Sequence, residues 1–381
     1  MAIVIQPYQR EHEEAVQEFN RRLQESSGDP DLVFSQTATP RWLPPAPGQP
    51  VWNEFFVALE GSTVRGTYAL KQESIWLREK GLQRIACYHH PLSEGIIDRS
   101  YASVGVLLAR DALARQPFLY ALGMGGYDRP IAKMLKALGF SMTLIPFYFR
   151  VVHPAKFFRE MQALRATPWR AMLMNIAAAS GTGFIAIKSV QAASRLRSRR
   201  SPFETEEITE FSDWADDLWQ KGISSVSLAT VRDANTLRLL YPQTMATTKR
   251  LRVSSNGVAV GWAIVGERRK SAAFGQMRVG SIVDCWAAPD HAPSVVRAAT
   301  AFLEKTGIDL IVSNQSHQAW RRAFERSGFL KGPSNFIFAA SKKLTALLPL
   351  LQENSDTFHI TRADGDGQNV RFGRNRAVVV I

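Results

Sequence analysis

The chain has 381 residues, 45% hydrophobic and 21% charged, a balance that excludes a disordered or fibrous polymer and fits two globular domains. Its 47 Lys and Arg against 34 Asp and Glu leave a formal charge of +13, which favours anionic partners: a phosphorylated cofactor, an RNA or an anionic membrane surface. Cys87 and Cys285 are too few for a disulfide framework and no Cys/His ligand spacing occurs, so the expectation is a cytoplasmic protein without a metal site.

The opening "MAIVIQPYQREHEE" lacks the basic start and long apolar core of a signal peptide and reads as a short strand running into a helix. The stretch "FFVALEGSTVRGTYAL" (55–70) alternates around a glycine-containing turn, which predicts a β-hairpin. A strand "QRIACYHHP" follows and brings His89, His90 and Glu94 to its end. Neighbours on a strand point opposite ways, so one histidine faces each side. Next come a helix, "YASVGVLLARDALAR", and a short strand, "FLYALG". Gly123, Gly125 and Gly126 then form a "GMGG" turn that lets backbone come close to a ligand. The turn lacks the spacing of a dinucleotide fingerprint or a Walker loop. Asp128 is placed to cap the helix that follows and Pro130 to sit in its first turn. That helix, "IAKMLKALGF", ends at Gly139, and a strand-like "SMTLIPFYFRVV" closes the first half.

The same order returns later. A helix, "SDWADDLWQKG", precedes the hairpin "LRVSSNGVAVGWAIV" (251–265), then a strand, "VGSIVDCWAAP", a helix, "SVVRAATAFLEKTG", and a strand, "DLIVSN". The helix in "AWRRAFERSGF" ends at Gly328 as its counterpart ends at Gly139. Phe147 opens "FYF" eight residues after Gly139, and Phe336 opens "FIF" eight residues after Gly328. This is an internal repeat of long period. Two segments lie outside it. The connector holds "AMLMNIAAASGTGFIAI" (171–187), uncharged but too polar to span a bilayer, and a basic "RLRSRR" (195–200) that suits an anionic membrane face or a solvated helix end. The polar C-terminal stretch contains "DGDG", which lacks the further ligands of a calcium loop.

The order of helix, hairpin, strand, helix, strand, helix and strands resembles the GNAT acyltransferase superfamily, with Asn314 and Gly328-Phe329 in the most family-like segment. The resemblance implies an α/β (α+β mixed-sheet) protein with two tandem GNAT-like domains, 1–155 and 203–345. A helical basic connector (156–202) would join them and a polar tail (346–381) would follow. It implies acetyl-CoA or another acyl-CoA as co-substrate, with the pyrophosphate on the amides that open the helix after the fourth strand. The matching positions are Arg99, Ala102 and Ser103, followed by Val104 where the family carries a small residue; "PDHAPSVV" in the second copy keeps neither arginine nor glycine. Gly123, Gly125 and Gly126 would line the acyl or acceptor cleft. The family's tyrosine acid is replaced by Leu135 and Phe324. That leaves His90, Glu94, Asp284 and Asn314 as the catalytic candidates. The implied activity is acyl transfer to a small-molecule amine or a glycan, as in bacterial cell-surface polysaccharide pathways. Two alternatives are a Fem-like aminoacyl transferase, whose basic surface would hold a tRNA, and a non-catalytic scaffold.

Overall fold

The computed structural model describes residues 2–30, 32–39, 48–161, 203–245, 248–268, 274–348 and 355–365. The first half contains β1 (Ile3–Pro7), α1 (Glu13–Ser27), β2 (Trp52–Glu60), β3 (Thr63–Leu77), β4 (Gly81–Ser93), α2 (Val104–Arg115), β5 (Leu119–Gly123), α3 (Pro130–Ala137), β6 (Ser141–Leu144), β7 (Phe147–Val151) and α4 (Pro154–Glu160). The second contains β8 (Glu204–Ile208), α5 (Asp213–Ile223), β9 (Leu228–Thr230), α6 (Ala234–Leu240), β10 (Thr248–Ser255), β11 (Val258–Arg268), β12 (Val279–Ala287) and α7 (Ala292–Lys305). It continues with β13 (Leu310–Asn314), α8 (Gln318–Arg326), β14 (Leu330–Gly332), β15 (Ile337–Ala340), α9 (Lys342–Leu347) and β16 (Phe358–His359). The apolar run 171–187 and the arginine run 195–200 lie outside the described residues.

The chain divides into two compact units, and neither is a continuous stretch of sequence. Unit 1 takes described residues from 1–144, 335–354 and 364–381; unit 2 takes them from 145–334 and 355–363. In unit 1 the strand order is β1-β2-β3-β4-β5-β15-β6. In unit 2 it is β14-β7-β13-β12-β11-β10-β8. Along both of these strand paths the neighbours are antiparallel except at one central step, β4 with β5 and β12 with β13.

One helix packs across the same place in each sheet, and a hairpin glycine makes room for it. A Cβ on Gly66 would lie 2.8 Å from Val104 Cγ1 of α2; one on Gly261 would lie 2.4 Å from Val295 Cγ2 of α7. The helices α3 and α8 both end on a left-handed glycine, Gly139 (φ +84°) and Gly328 (φ +79°). In each, the next phenylalanine amide returns to a helix carbonyl, Phe140 to Leu135 and Phe329 to Phe324. The repeat read from the sequence is thus a repeat of packing.

The two halves trade their last strands. After β6 the chain passes Ile145-Pro146, and β7 inserts between β13 and β14 of unit 2. After β14 it passes Pro333, and β15 inserts between β5 and β6 of unit 1. The two aromatic triplets therefore open the exchanged segments. Tyr148 of β7 stacks on Phe324 at 5.6 Å between centroids. Buried Arg150 donates to Glu304 at 2.9 and 2.8 Å and to the Ser327 carbonyl at 2.8 Å. Past β15, the Ser341 hydroxyl donates to the Pro117 carbonyl at 2.6 Å and accepts from the Leu119 amide at 3.2 Å. The expected boundaries 1–155 and 203–345 do not include this exchange: Pro146 ends a strand that the sequence pattern reads as continuous, and Pro333 precedes the other exchanged strand.

The expected polar tail is also revised. Residues 358–364 are buried, Phe358, His359, Ile360, Thr361 and Ala363 almost completely, within units 2 and 1 in turn. "DGDG" runs past the last described residue.

The first consequence concerns the halves alone. Residues 1–155 produced as a separate chain lack β15, which carries hydrogen bonds on both sides in unit 1, and should show no cooperative thermal transition by circular dichroism. A sharp melt would refute this. The second concerns Asp309 in unit 2. Its carboxylate receives His153 at 2.8 Å, Lys156 at 2.6 Å and the Arg278 amide at 2.7 Å. Burial pushes this carboxyl up, but Lys156, the Arg278 amide and His153 outweigh it and hold it below its ordinary value. A lowered folded pKa gives stability that is present above the unfolded value of about 4 and is lost as pH falls. Asp309→Asn should therefore flatten the acid limb of the urea midpoint against pH; an unchanged limb would place the acid sensitivity elsewhere.

Candidate functional site

The central parallel step of unit 1 opens into a fork. The strands β4 and β5 pair at Ala86↔Leu119 and Cys87↔Tyr120 only, and β4 then runs on to Ser93. A bulge accompanies the splay: Leu92 faces Thr67 and His89 faces Ala69, leaving His90 and Pro91 opposite the single Tyr68. His90 takes φ +54° there and is half-buried. His89 is buried, and burial, with His90 and Lys71 nearby, pushes it well below its ordinary value, so its imidazole is neutral.

Beyond β4 the chain turns through two short 3-10 segments, Glu94–Ile96 and Arg99–Tyr101, into α2. Gly95 is needed here, since a Cβ would come within 2.7 Å of the Tyr101 carbonyl. Arg99, Ala102 and Ser103 are exposed at the head of the helix. Among the described residues the chain supplies no acceptor for the amides of Ser103, Val104 and Gly105. Unpaired amides and the helix dipole together favour an anion at this point. Val104 is fully buried on Gly66 and serves helix packing.

The strands of the fork are parallel, so the loop after β5 opens at the same edge as the loop after β4. Gly123, Met124, Gly125 and Gly126 run with φ of +101°, +62°, +75° and +121°. Side chains rarely adopt such angles, which explains the three glycines. Gly123 lies under the Phe336 ring, 3.6 Å from where its Cβ would be. Arg129, rather than the expected Asp128, is the N-cap of α3, with no side-chain cap bond; Pro130 takes the first helical position as anticipated. The fork edge thus gathers His90, Arg99, Ala102, Ser103, Gly123, Gly125 and Gly126.

Glu94 has a different role. Only 5% exposed, it accepts from Arg22 of α1 at 2.9 Å and from Arg65 of β3 at 2.7 Å. Arg65 also lies 4.2 Å from the Tyr101 ring centroid and bonds Glu60 at 3.0 Å. Both carboxylate oxygens are engaged, so Glu94 clamps α1 to the sheet beneath the helix head.

At the fork vertex lies a polar cluster that the sequence reading missed. Lys71, Glu73 and Tyr120 are 3%, 3% and 1% exposed, on the sheet face that carries Cys87. Lys71 Nζ is 3.1 Å from Glu73 Oε1, and the Tyr120 hydroxyl contacts the same carboxyl. Lys71 and Tyr120 both donate to the Asp364 carbonyl, at 3.2 and 2.6 Å. Burial, outweighing Lys71, pushes the Glu73 carboxyl up. The visible signal was a charged pair two apart, Lys71 and Glu73, on one face of a strand otherwise flanked by apolar residues.

Unit 2 forks in the same way after three parallel pairs, Val279↔Leu310 to Ser281↔Val312, and β12 bulges between Asp284 and Ile282. Here the splay is bridged: the Ser313 hydroxyl donates to the Ile282 carbonyl at 2.9 Å. Asp284 is 2% exposed and fully engaged. It receives Arg232 at 3.1 and 3.2 Å, the Tyr241 hydroxyl at 3.1 Å, the Thr361 hydroxyl at 3.1 Å and the Cys285 amide at 3.0 Å. Asn314 accepts from Arg362 at 2.6 Å. Both residues hold the C-terminal segment, which leaves neither free for proton transfer. Among the described residues no group of three or more metal-ligating side chains occurs, and no helix is long and apolar enough to cross a membrane.

No family model and no curated protein matches the sequence. Solved structures do match. Saccharomyces cerevisiae N-myristoyltransferase with bound myristoyl-CoA and inhibitors aligns with a TM-score of 0.52 and 9% identity over 89% of this chain and 79% of that one. A GCN5-related N-acetyltransferase from Anabaena variabilis ATCC 29413 gives 0.50 and 10% over 89% and 72%. A conserved protein of unknown function from Enterococcus faecalis V583 gives 0.51 and 10% over 91% and 75%. With the splayed parallel step, the adjoining bulge and the helix that follows in each unit, these likenesses show that this chain has the GNAT fold, repeated in its two units.

Proposed function

We propose that the chain is an acyltransferase that carries an acyl group from acyl-CoA to an amine or sugar acceptor, with the nucleotide bound at unit 1. The observation that carries this reading is the head of α2, where three consecutive amides that find no acceptor among the described residues meet the open end of the β4–β5 fork. A pyrophosphate suits them, and exposed Arg99 adds a positive charge at the same point. The thioester then lies along the fork toward the bulge. The acceptor nitrogen or oxygen attacks the thioester carbonyl, the C–S bond breaks, and the CoA thiolate leaves with the electron pair. His90, half-buried on the bulge, takes the acceptor's proton in this reading. The strongly positive chain favours the highly anionic donor.

Thermal melting with acetyl-CoA, longer acyl-CoAs and tRNA tests this. A ligand at 100 times its Kd stabilises the folded state by about 2.7 kcal/mol. An acyl-CoA should raise the melting point, and Arg99→Ala should reduce that rise. No shift with any acyl-CoA would favour a scaffold, and salt-sensitive stabilisation by tRNA would favour an aminoacyl transferase. Asp284→Ala should behave oppositely to Arg99→Ala. It strips a buried guanidinium of its counter-charge and should cost roughly 3–5 kcal/mol in urea unfolding while acyl-CoA affinity persists. A loss of affinity without a loss of stability would return Asp284 to the site.

A further inference from the structure

We propose that unit 2 takes no acyl-CoA because its fork is a groove for extended polypeptide that the chain fills with its own residues 357–362, so that the protein binds a single nucleotide thioester, at unit 1. This rests on the acyl-CoA reading above. Two independent features of unit 2 carry it.

The first is the filling itself. Phe358 and His359 pair in parallel with Leu228 and Ala229 of β9. The Ser227 amide donates to the Thr357 carbonyl at 3.0 Å and the Ser316 amide to the Ile360 carbonyl at 3.1 Å. The Ile360 amide returns to the Ser316 hydroxyl at 2.8 Å, and Gln315 bridges Thr361. Side chains complete the fit. The His359 ring donates to the Cys285 carbonyl at 3.0 Å from within a cage of Trp286 and Trp320, with centroids at 4.8 and 5.7 Å. Thr361 and Arg362 take Asp284, within β12, and Asn314, the last residue of β13. The segment's backbone thus bonds β9 and the two residues just past β13, while the His359 ring takes a carbonyl of β12 that a ligand in the fork would otherwise have to meet.

The second is the anion grip. Helix α7 begins at Ala292 and carries Pro293 at its second position, which has no N–H to offer. Its counterpart α2 begins at Val104 and carries Gly105 there. The unit whose fork is filled is also the unit whose helix has lost a phosphate donor.

Calorimetric titration of the full chain with acetyl-CoA reads the stoichiometry. One site per chain is expected. Gly105→Pro copies the unit 2 proline into α2 at a position where a first-turn proline is tolerated and a Cβ meets nothing closer than Met134 Sδ at 3.6 Å. Its affinity should fall about tenfold, the loss of one charge-assisted hydrogen bond, while Pro293→Gly should still give one site. A second pair guards against misfolding: Ser103→Asp and His291→Asp each place a carboxylate at a helix N-cap, which such residues suit. Only Ser103→Asp should weaken binding. Two sites per chain, or one site that responds to His291→Asp and ignores Ser103→Asp, overturns the inference. No binding by the unaltered chain removes the acyl-CoA reading itself.

Discussion

A strand inside a sheet must find hydrogen-bond partners on both sides, and in this protein that requirement is met by exchange. The segments β7 and β15 each lie between two strands from the other half of the sequence. Each is short, five and four residues, yet each closes a core: Tyr148 belongs to the main apolar cluster of unit 2 and Ala339 to that of unit 1. The exchange makes the two folding problems one. Neither sheet is complete until the second half of the chain exists, so the tandem arrangement is a condition of the fold as well as a product of duplication.

The C-terminal segment extends the same logic to polar groups. A buried ion pair such as Arg232–Asp284 gains little unless its remaining hydrogen-bonding positions are filled. Thr361 fills one of them. In unit 1 the Asp364 carbonyl performs the same service for Lys71 and Tyr120. Charges that would be costly alone become tolerable once the final described residues lie over them. This accounts for a segment of polar composition that is nonetheless buried: it is selected by the polar groups it covers rather than by apolar patterning.

That distinction decides what the sequence made legible. The hairpins, the forked strands and the glycine-ended helices follow local rules of alternation, helical spacing and left-handed termini, and they could be read from "FFVALEGSTVRGTYAL" or "ALGF" alone. The helix-head residues Arg99, Ala102 and Ser103 and the glycines 123, 125 and 126 follow from local chain geometry, in the loops after two neighbouring parallel strands. The roles of Glu94, Asp284 and Asn314 were not legible, because a carboxylate or amide on a central strand looks the same whether it faces a substrate or an arginine from a distant segment. Arg22, Arg232 and Arg362 lie far along the chain from the groups they bind. The exchange was hidden for a related reason: Pro146 and Pro333 mark breaks, but a break does not say which sheet the next strand joins.

The two units show how a duplicated scaffold can diverge without changing its fold. Both keep the glycine under the second-layer helix, the bulge and the parallel splay, because these set the shape of the sheet. What differs is cheap to change. A proline at the second position of a helix is neutral for folding but removes a donor from the one place where an anion would need it. A serine at position 313 bridges the splay, and a run of backbone supplies hydrogen bonds that a ligand would otherwise supply. The arginine–aspartate–tyrosine network around Asp284 holds that segment through Thr361.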